Sequence, residues 1–284
     1  MTAEITEPGV YDIPETDYHA DPVKGGSLSS SGARKLIAPS CPALFDWARH
    51  AGEEHANHFD FGKAAHQLVL GAGAPIARID ADSWRTKAAQ AAKTAAYEAG
   101  EIPLLEKDHD RVEAMAAALT AHPVASALFR TGKPEQTLVW RDDRTGVWCR
   151  ARLDWLPSPT SSGRVIVPDY KSCHSADPEA LSKSVAQHGY HQQAHWYLAG
   201  MRALGLADDT AAFVFVAQEK TAPYLVTVFE PDHVAMRIGA ARNRRAIDVY
   251  VHCTKTGHWP AYVDGVHLLA LPRWAEIAEG EHLL

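Results

Sequence analysis

Cysteine is scarce and scattered. The four present, Cys41, Cys149, Cys173 and Cys253, form no CxxC pair, so no zinc knuckle and no iron–sulfur cluster is expected, and reduced thiols are. No apolar run reaches the roughly eighteen residues that a membrane-spanning helix needs. From Met1 to Asp12 there are acidic residues where a secretion signal needs a basic patch and an apolar stretch, so a cytoplasmic protein without membrane contact is expected. Surplus positive charge is missing too, the formal net charge being -7. Lys and Arg on phosphates supply most non-specific DNA affinity, so a general polyanion binder is disfavoured and any nucleic-acid contact must be local. Internal repeats and low-complexity tracts are absent as well.

What is present is an ordinary globular mixture, 46% hydrophobic and 22% charged, long enough for a real core in one domain over residues 1–284. Residues 1–26, rich in Pro, Gly and acids, read as an extended arm with short turns. Residues 27–130 read as a helical part. Ser29, Ser30 or Ser31 can cap a helix over 32–37, Pro39 and Pro42 interrupt it, and helices over 43–50 and 61–70 follow. The stretch 82–130 holds two or three more, broken near Gly100 and at Pro123.

From Gln136 the character changes. Segments 137–140, 147–156 and 164–171 are β-rich and read as consecutive antiparallel strands. A helix over 178–204, strands over 211–218 and 224–229 and a last helix over 232–254 complete the chain. This order predicts an α/β fold, a central mixed β-sheet flanked by helices, with the sheet core in 131–230 and a C-terminal helix and tail in 231–284. Basic residues gather at Arg141, Arg144, Arg150 and Arg152 and again at Arg237, Arg242, Arg244 and Arg245. They fit either a local basic groove or ordinary solvated faces.

Strand alternation puts Cys149, Ala151 and Leu153 on one face of 147–156 and Arg150, Arg152 and Asp154 on the other. On 164–171 it puts Val165, Val167, Asp169 and Lys171 together, the last two leaving the backbone about 7 Å apart. Two carboxylates on adjacent strands can bind a hard divalent cation through oxygen, and a neighbouring ammonium can stabilise an attacking hydroxide or a phosphate oxygen. That is a phosphodiesterase arrangement. A single Asp-x-Lys can equally decorate any exposed strand.

Arg152-Leu-Asp154 followed by Pro168-Asp169-Tyr170-Lys171 across a hairpin resembles the core of PD-(D/E)xK nucleases, and with it the restriction-endonuclease-like fold. Tyr190-His-Gln-Gln193-Ala-His-Trp-Tyr197 is similar to the Tyr-x-x-Gln-x-x-x-Tyr helix of RecB-like and RecE-like nucleases, and Gly62-Lys-Ala-Ala-His66 to their upstream histidine. The stretches YHADPVKGGSLSSSGARKL, WRTKAAQAAKTAAYEAG and AQEKTAPYLV resemble exodeoxyribonuclease VIII-like phage proteins, so the likeness covers most of the chain.

The resemblance implies that His66, Asp154, Asp169 and the Tyr170 carbonyl hold Mg2+, with Mn2+ as a substitute, and that Lys171 and Gln193 join the two acids in catalysis. A capped or partly buried helix histidine remains the alternative for His66. Glu135, just before the first strand, is either an outer-shell carboxylate or an exposed acid. Asp169 stands where Glu is commoner, a change that keeps metal binding. Pro168 removes a ladder donor and implies an edge or a bulge. Arg34, Arg152, Tyr190 and Tyr197 are DNA-contact candidates, Arg34 because guanidinium and a helix N-terminus both favour phosphate; a plain surface arginine is the alternative.

On one helix, Tyr190, Gln193 and Tyr197 share a face while His188, His191 and His195 lie roughly opposite, towards solvent or another subunit. The histidine stripe is a rival zinc site by its spacing. The function implied is 5′-to-3′ degradation of linear double-stranded DNA from its ends in phage-type recombination, in the host cytoplasm, by a ring-shaped homo-oligomer that hands single strands to an annealing protein. Rival readings are a RecB-like repair nuclease, against which the cysteine spacing argues, and a DNA-end-binding or assembly protein without turnover. A non-haem iron oxygenase built on His19-Ala-Asp21 is weaker still.

Overall fold

The computed structural model describes residues 4–51, 60–159, 163–263 and 265–280. Its centre is the hairpin of β5 (Gly132–Arg141) and β6 (Trp148–Pro157), in which Leu138 faces Ala151 and Trp140 faces Cys149. The alternation read from the sequence places these small and apolar side chains inward. At the turn, Asp142 Oδ2 accepts from the Thr145 amide at 3.0 Å and its hydroxyl at 2.6 Å. Gly146 then takes φ +71°, a conformation that suits glycine.

β1 (Gly9–Tyr11) pairs antiparallel with β5, and β2 (Leu28–Ser29) pairs parallel with β6, giving the order β1-β5-β6-β2. Contrary to the expected run of three antiparallel strands, β7 (Ile166–Cys173) forms no ladder with β6 among the described residues. It pairs in parallel with β8 (Ala212–Glu219), which pairs antiparallel with β9 (Val226–Phe229). The physical reason is local. Val165 and the alternate residues after it bond to β8, as the Ala212 amide to the Val165 carbonyl shows at 2.8 Å. The even residues of β7 therefore turn towards β6, where Pro168 has no N–H and the Tyr170 amide goes to the Asp154 side chain at 2.8 Å.

Helices cover both faces. One core joins α2 (Ser30–Lys35), α3 (Pro42–Ala51), α9 (Tyr190–Ala203) and α10 (His233–Thr256) to Leu138, Ala151, Leu153, Val167, Phe213 and Phe215. Trp196, 2% exposed, is its largest fully buried side chain and donates to the Arg150 carbonyl at 3.0 Å. Removing so large a buried ring typically costs about 3–5 kcal/mol. The second core lies under α4 (Asp60–Leu70) and α6 (Glu106–Ala121), with Ala64, Met115, Tyr170 and Val216.

Three boundaries differ from expectation. The helix expected over 178–204 is two, α8 (Pro178–His188) and α9, because Gly189 at φ +67° ends the first. The stretch 82–130 contains α5 (Lys87–Glu98), α6 and α7 (Pro123–Leu128), but also β4 (Ile102–Leu105), parallel to β3 (Ile76–Ile79). Short apolar runs such as Ile102–Leu105 carry no period that separates strand from helix. The arm is also less extended than expected. It holds β1 and α1 (Glu15–His19), and Ile5, Ile13, Tyr18 and Val23 pack against Val139. The last element is the short helix α11 (Arg273–Gly280), no residue of which is buried.

Candidate active site

Four elements bring the site together. Asp154 comes from β6, Asp169, Tyr170 and Lys171 from β7, Gln193 from α9 and His66 from α4. Because β6 and β7 diverge without a ladder, their facing edges leave room for side chains. Asp154 Oδ2 accepts the Tyr170 amide and faces His66 Nε2 at 3.1 Å. Asp169, 1% exposed, is ion-paired with Lys171 through Oδ1 and accepts from Gln193 Nε2 through Oδ2 at 2.8 Å. Oδ1 itself accepts no hydrogen bond of good geometry.

Glu135 lies inside β5 rather than before it, between Pro134 and Gln136, which pair with Trp155 and Leu153 on either side of Asp154. Its Oε1 meets His66 Nδ1 at 3.1 Å and its Oε2 meets Arg152 Nε at 2.5 Å. A continuous polar chain thus runs Arg152, Glu135, His66, Asp154, Tyr170 amide. His66 is thus a partly buried helix residue, 25% exposed, with both ring nitrogens bonded to carboxylates.

These contacts drive the two acids apart in protonation. Burial raises both. Around Asp154 the His66 and Lys171 charges and the Tyr170 amide outweigh burial and hold the carboxyl below its usual range. At Asp169 burial, reinforced by the Asp154 charge, outweighs Lys171 and pushes the carboxyl up to about 7. Burial works against the charge of His66, but Asp154 and Glu135 push it up to about 10. Lys171 is likewise raised despite burial, by Asp169 and Asp154. Opposed shifts on neighbouring titratable groups mark functional sites more often than chance.

The face of α9 is the one expected. Tyr190 stacks between His188 and Phe215 at 5.5 and 5.2 Å, with Lys171 Nζ 5.7 Å from its ring. Tyr197 meets Phe213 edge-on at 5.5 Å. The histidines do not form the expected stripe. His188 belongs to α8, the His191 ring bonds to the Val185 carbonyl at 3.2 Å, and His195 Nδ1 lies 3.2 Å from Asn243 Nδ2 on α10. Burial lowers the pKa of both His191 and His195. They look towards helices of the same chain, not towards solvent.

Half of the clustered arginines are tied into the fold, while Arg141, Arg144, Arg237 and Arg245 are exposed. Arg152, 15% exposed, donates to the Ile13 carbonyl at 2.7 Å as well as to Glu135, so it is not placed to meet a DNA phosphate. Arg150 is paired with Asp21 at 2.9 Å, Arg242 with Gln192 at 3.1 Å and Arg244 with Asp142 at 2.9 Å. Arg34 sits in the last turn of α2, not at its capped start, where the Ser29 hydroxyl accepts from the Gly32 amide at 3.1 Å. Its guanidinium donates to the His188 carbonyl and its stem lies against Gly189, so it braces the α8–α9 junction.

Sequence reasoning missed Gln218, which accepts from the Tyr170 hydroxyl at 2.9 Å and anchors that residue from β8. It also missed His109, Asp110 and Glu113 on α6, whose ligand atoms lie within 4.8 Å of one another. Their spacing on one helix was the available signal. Asp110 is tied to Arg78 at 3.2 Å, and two of the three are exposed. A cavity of 880 Å³ lies elsewhere, lined by Ile37, Pro39, Cys41, Arg245, Val249 and Tyr262 and by none of the candidate site residues.

The profile of a family described as a PDDEXK-like domain of unknown function (DUF3799) matches residues 29–271. No curated protein matches the chain. Among solved structures, a crystal structure of a protein described as "Putative exonuclease" from Eubacterium rectale has a TM-score of 0.62 at 12% identity, covering 95% of this chain and 99% of that chain. At that identity the likeness concerns the fold.

Proposed function

The chain belongs to the PDDEXK-like family DUF3799, and on that premise we propose that it is a divalent-metal-dependent deoxyribonuclease that hydrolyses linear double-stranded DNA from its ends. One observation carries the proposal. Two carboxylates of opposed protonation, a lysine and a glutamine from separate elements converge at Asp154, Asp169, Lys171 and Gln193.

The donor set suits a hard divalent cation. Asp154 and Asp169 offer carboxylate oxygens, and strand geometry sends the Tyr170 carbonyl to the same edge as its amide. Asp169 Oδ1 is a buried carboxylate oxygen whose partner is the Lys171 ammonium. The imidazole of His66 adds a nitrogen, which Mn2+ accepts more readily than Mg2+. When bound, the cation supplies Lewis-acid activation of water and of a phosphate oxygen.

The chain's own residues do the rest. Gln193 holds Oδ2 of Asp169 while Lys171 pairs with Oδ1, so the carboxylate is oriented from both sides. Lys171, supported by the Tyr190 ring, is placed to hold the attacking water or a non-bridging phosphate oxygen. Asp154, kept ionised by His66, is ready to bind a cation at neutral pH.

The finer parts of the proposal rest on the motif resemblance. They are Mg2+ as the cation in use, 5′-to-3′ polarity, phage-type recombination with an annealing partner, a ring-shaped homo-oligomer and a cytoplasmic setting. No described helix is long and apolar enough to cross a membrane. The test is incubation of end-labelled linear and closed circular duplexes with Mg2+, with and without a 5′ phosphate. Shortening of linear DNA that Asp154→Ala abolishes supports the proposal. Retardation of linear DNA without cutting points instead to an end-binding protein and overturns it.

A further inference from the structure

We propose that Glu135 is the positioning residue of the metal site: it fixes His66 for ligation and, through Arg152, ties that histidine to the N-terminal segment. This rests on the reading of His66, Asp154 and Asp169 as metal ligands.

The geometry is specific. Both ring nitrogens of His66 are committed, Nδ1 to Glu135 Oε1 and Nε2 to Asp154 Oδ2, each at 3.1 Å. The ring plane is therefore set from two sides, with Nε2 turned to the Asp154 carboxylate. Metal-binding histidines commonly give their other ring N–H to a carboxylate, which sets tautomer and orientation. Glu135 occupies that second position. Its other oxygen, Oε2, is held by Arg152 Nε at 2.5 Å, and the same guanidinium reaches the Ile13 carbonyl at 2.7 Å. Glu135 and Arg152 are 17% and 15% exposed, so this is not an ordinary solvated pair.

The backbone agrees. Glu135 has φ +56°, a conformation that side chains with a Cβ rarely adopt. Such a residue persists where its surroundings over-determine it. Its neighbour Gln136, 5% exposed, donates to the Pro134 carbonyl at 3.0 Å and closes the bend. The bend puts Glu135 across from the Leu153–Trp155 stretch that carries Asp154, with His66 bridging the two carboxylates. A direct ligand would need its oxygen beside Nε2, whereas Oε1 lies against Nδ1.

The experiment is a double-mutant cycle read by calorimetric Mn2+ binding, with thermal unfolding in EDTA as the check on folding. Glu135→Asn keeps a residue type that tolerates positive φ but shortens the reach; Glu135→Gln keeps the reach and carries the test should the Asn variant not fold. Glu135→Asn should weaken Mn2+ by about 10- to 100-fold, as loss of an outer-shell partner does, and Glu135→Gln by less. On a His66→Ala background, Glu135→Asn should cost nothing further. Wild-type affinity in a folded Asn or Gln variant overturns the inference, as does full additivity with His66→Ala, which would make Glu135 a ligand. A wild-type protein that binds no Mn2+ overturns the proposed function itself.

Discussion

Gln193 on α9 donates its side-chain amide to Oδ2 of Asp169 on β7, 2.8 Å away, while Lys171 pairs with Oδ1, so both carboxylate oxygens are held in orientation. Helix and strand are thereby registered at the one point where chemistry needs them to be. Gln193→Ala should lower single-turnover cleavage on the order of 100-fold, the typical cost of a small misplacement, without unfolding the protein. A rate within a few-fold of wild type, measured on a variant with unchanged circular dichroism, would refute the positioning role.

The histidines act on stability instead. His191 and His195 are bonded to the Val185 carbonyl and to Asn243 inside the fold. Replacing His188, His191 and His195 together should leave cleavage of short duplexes within a few-fold of wild type while lowering stability by about 0.5–1.5 kcal/mol for each of the two hydrogen bonds lost. Urea denaturation beside single-turnover kinetics separates the two effects. Loss of cleavage and of bound metal would show that the helix face has been misassigned.

Asp169 makes the protein sensitive to pH in a defined direction. Its folded pKa, pushed up to about 7, lies above the unfolded value near 3.9, so the native state binds more protons between them. Stability from this group is present at acidic pH and lost as pH rises towards 7. In EDTA, Asp169→Asn should therefore gain melting temperature relative to wild type on going from pH 5 to pH 8, although it abolishes cleavage. Metal affinity of the wild type should rise over the same interval, since the cation displaces a proton. A melting-temperature difference that does not change with pH would contradict this.

Gly239 on α10 tests the helix packing behind the site. A Cβ there would stand 2.3 Å from the His191 carbonyl oxygen of α9. Gly→Ala inside a helix gains up to about 1 kcal/mol of propensity, but overpacking costs about 1–3 kcal/mol, so Gly239→Ala should destabilise. A rise in melting temperature would mean that the two helices separate more easily than their geometry implies.

The thiols should be inert in the native state. Cys41, Cys149 and Cys253 are buried, and burial pushes the Cys149 and Cys253 thiols up, Cys149 far above the usual range; Cys173 is pushed up to about 11 by partial burial and Glu219. Thiolate is the reactive form, so titration with a disulfide reagent should be slow until denaturant exposes all four groups. Rapid reaction of the native protein would overturn this.

Local patterns determined a large part of this protein. Alternation in β6 fixed which face carries Asp154, and the 3.6-residue period put Tyr190, Gln193 and Tyr197 on one side of α9, where the structure has them. What local pattern leaves open is which distant groups meet. No period in the sequence says that β7 turns from β6 to pair with β8, or that Glu135 takes φ +56° inside β5. Arg34, Arg152, His191 and His195 looked available for DNA or metal because a single sequence shows charge but not partner. Their partners, His188, Glu135, Val185 and Asn243, stand on other strands and helices. Only closure of the core brings those groups within hydrogen-bond reach. The sequence therefore determined the acids and the lysine, and the tertiary structure decided which charges remain for substrate and which hold the fold.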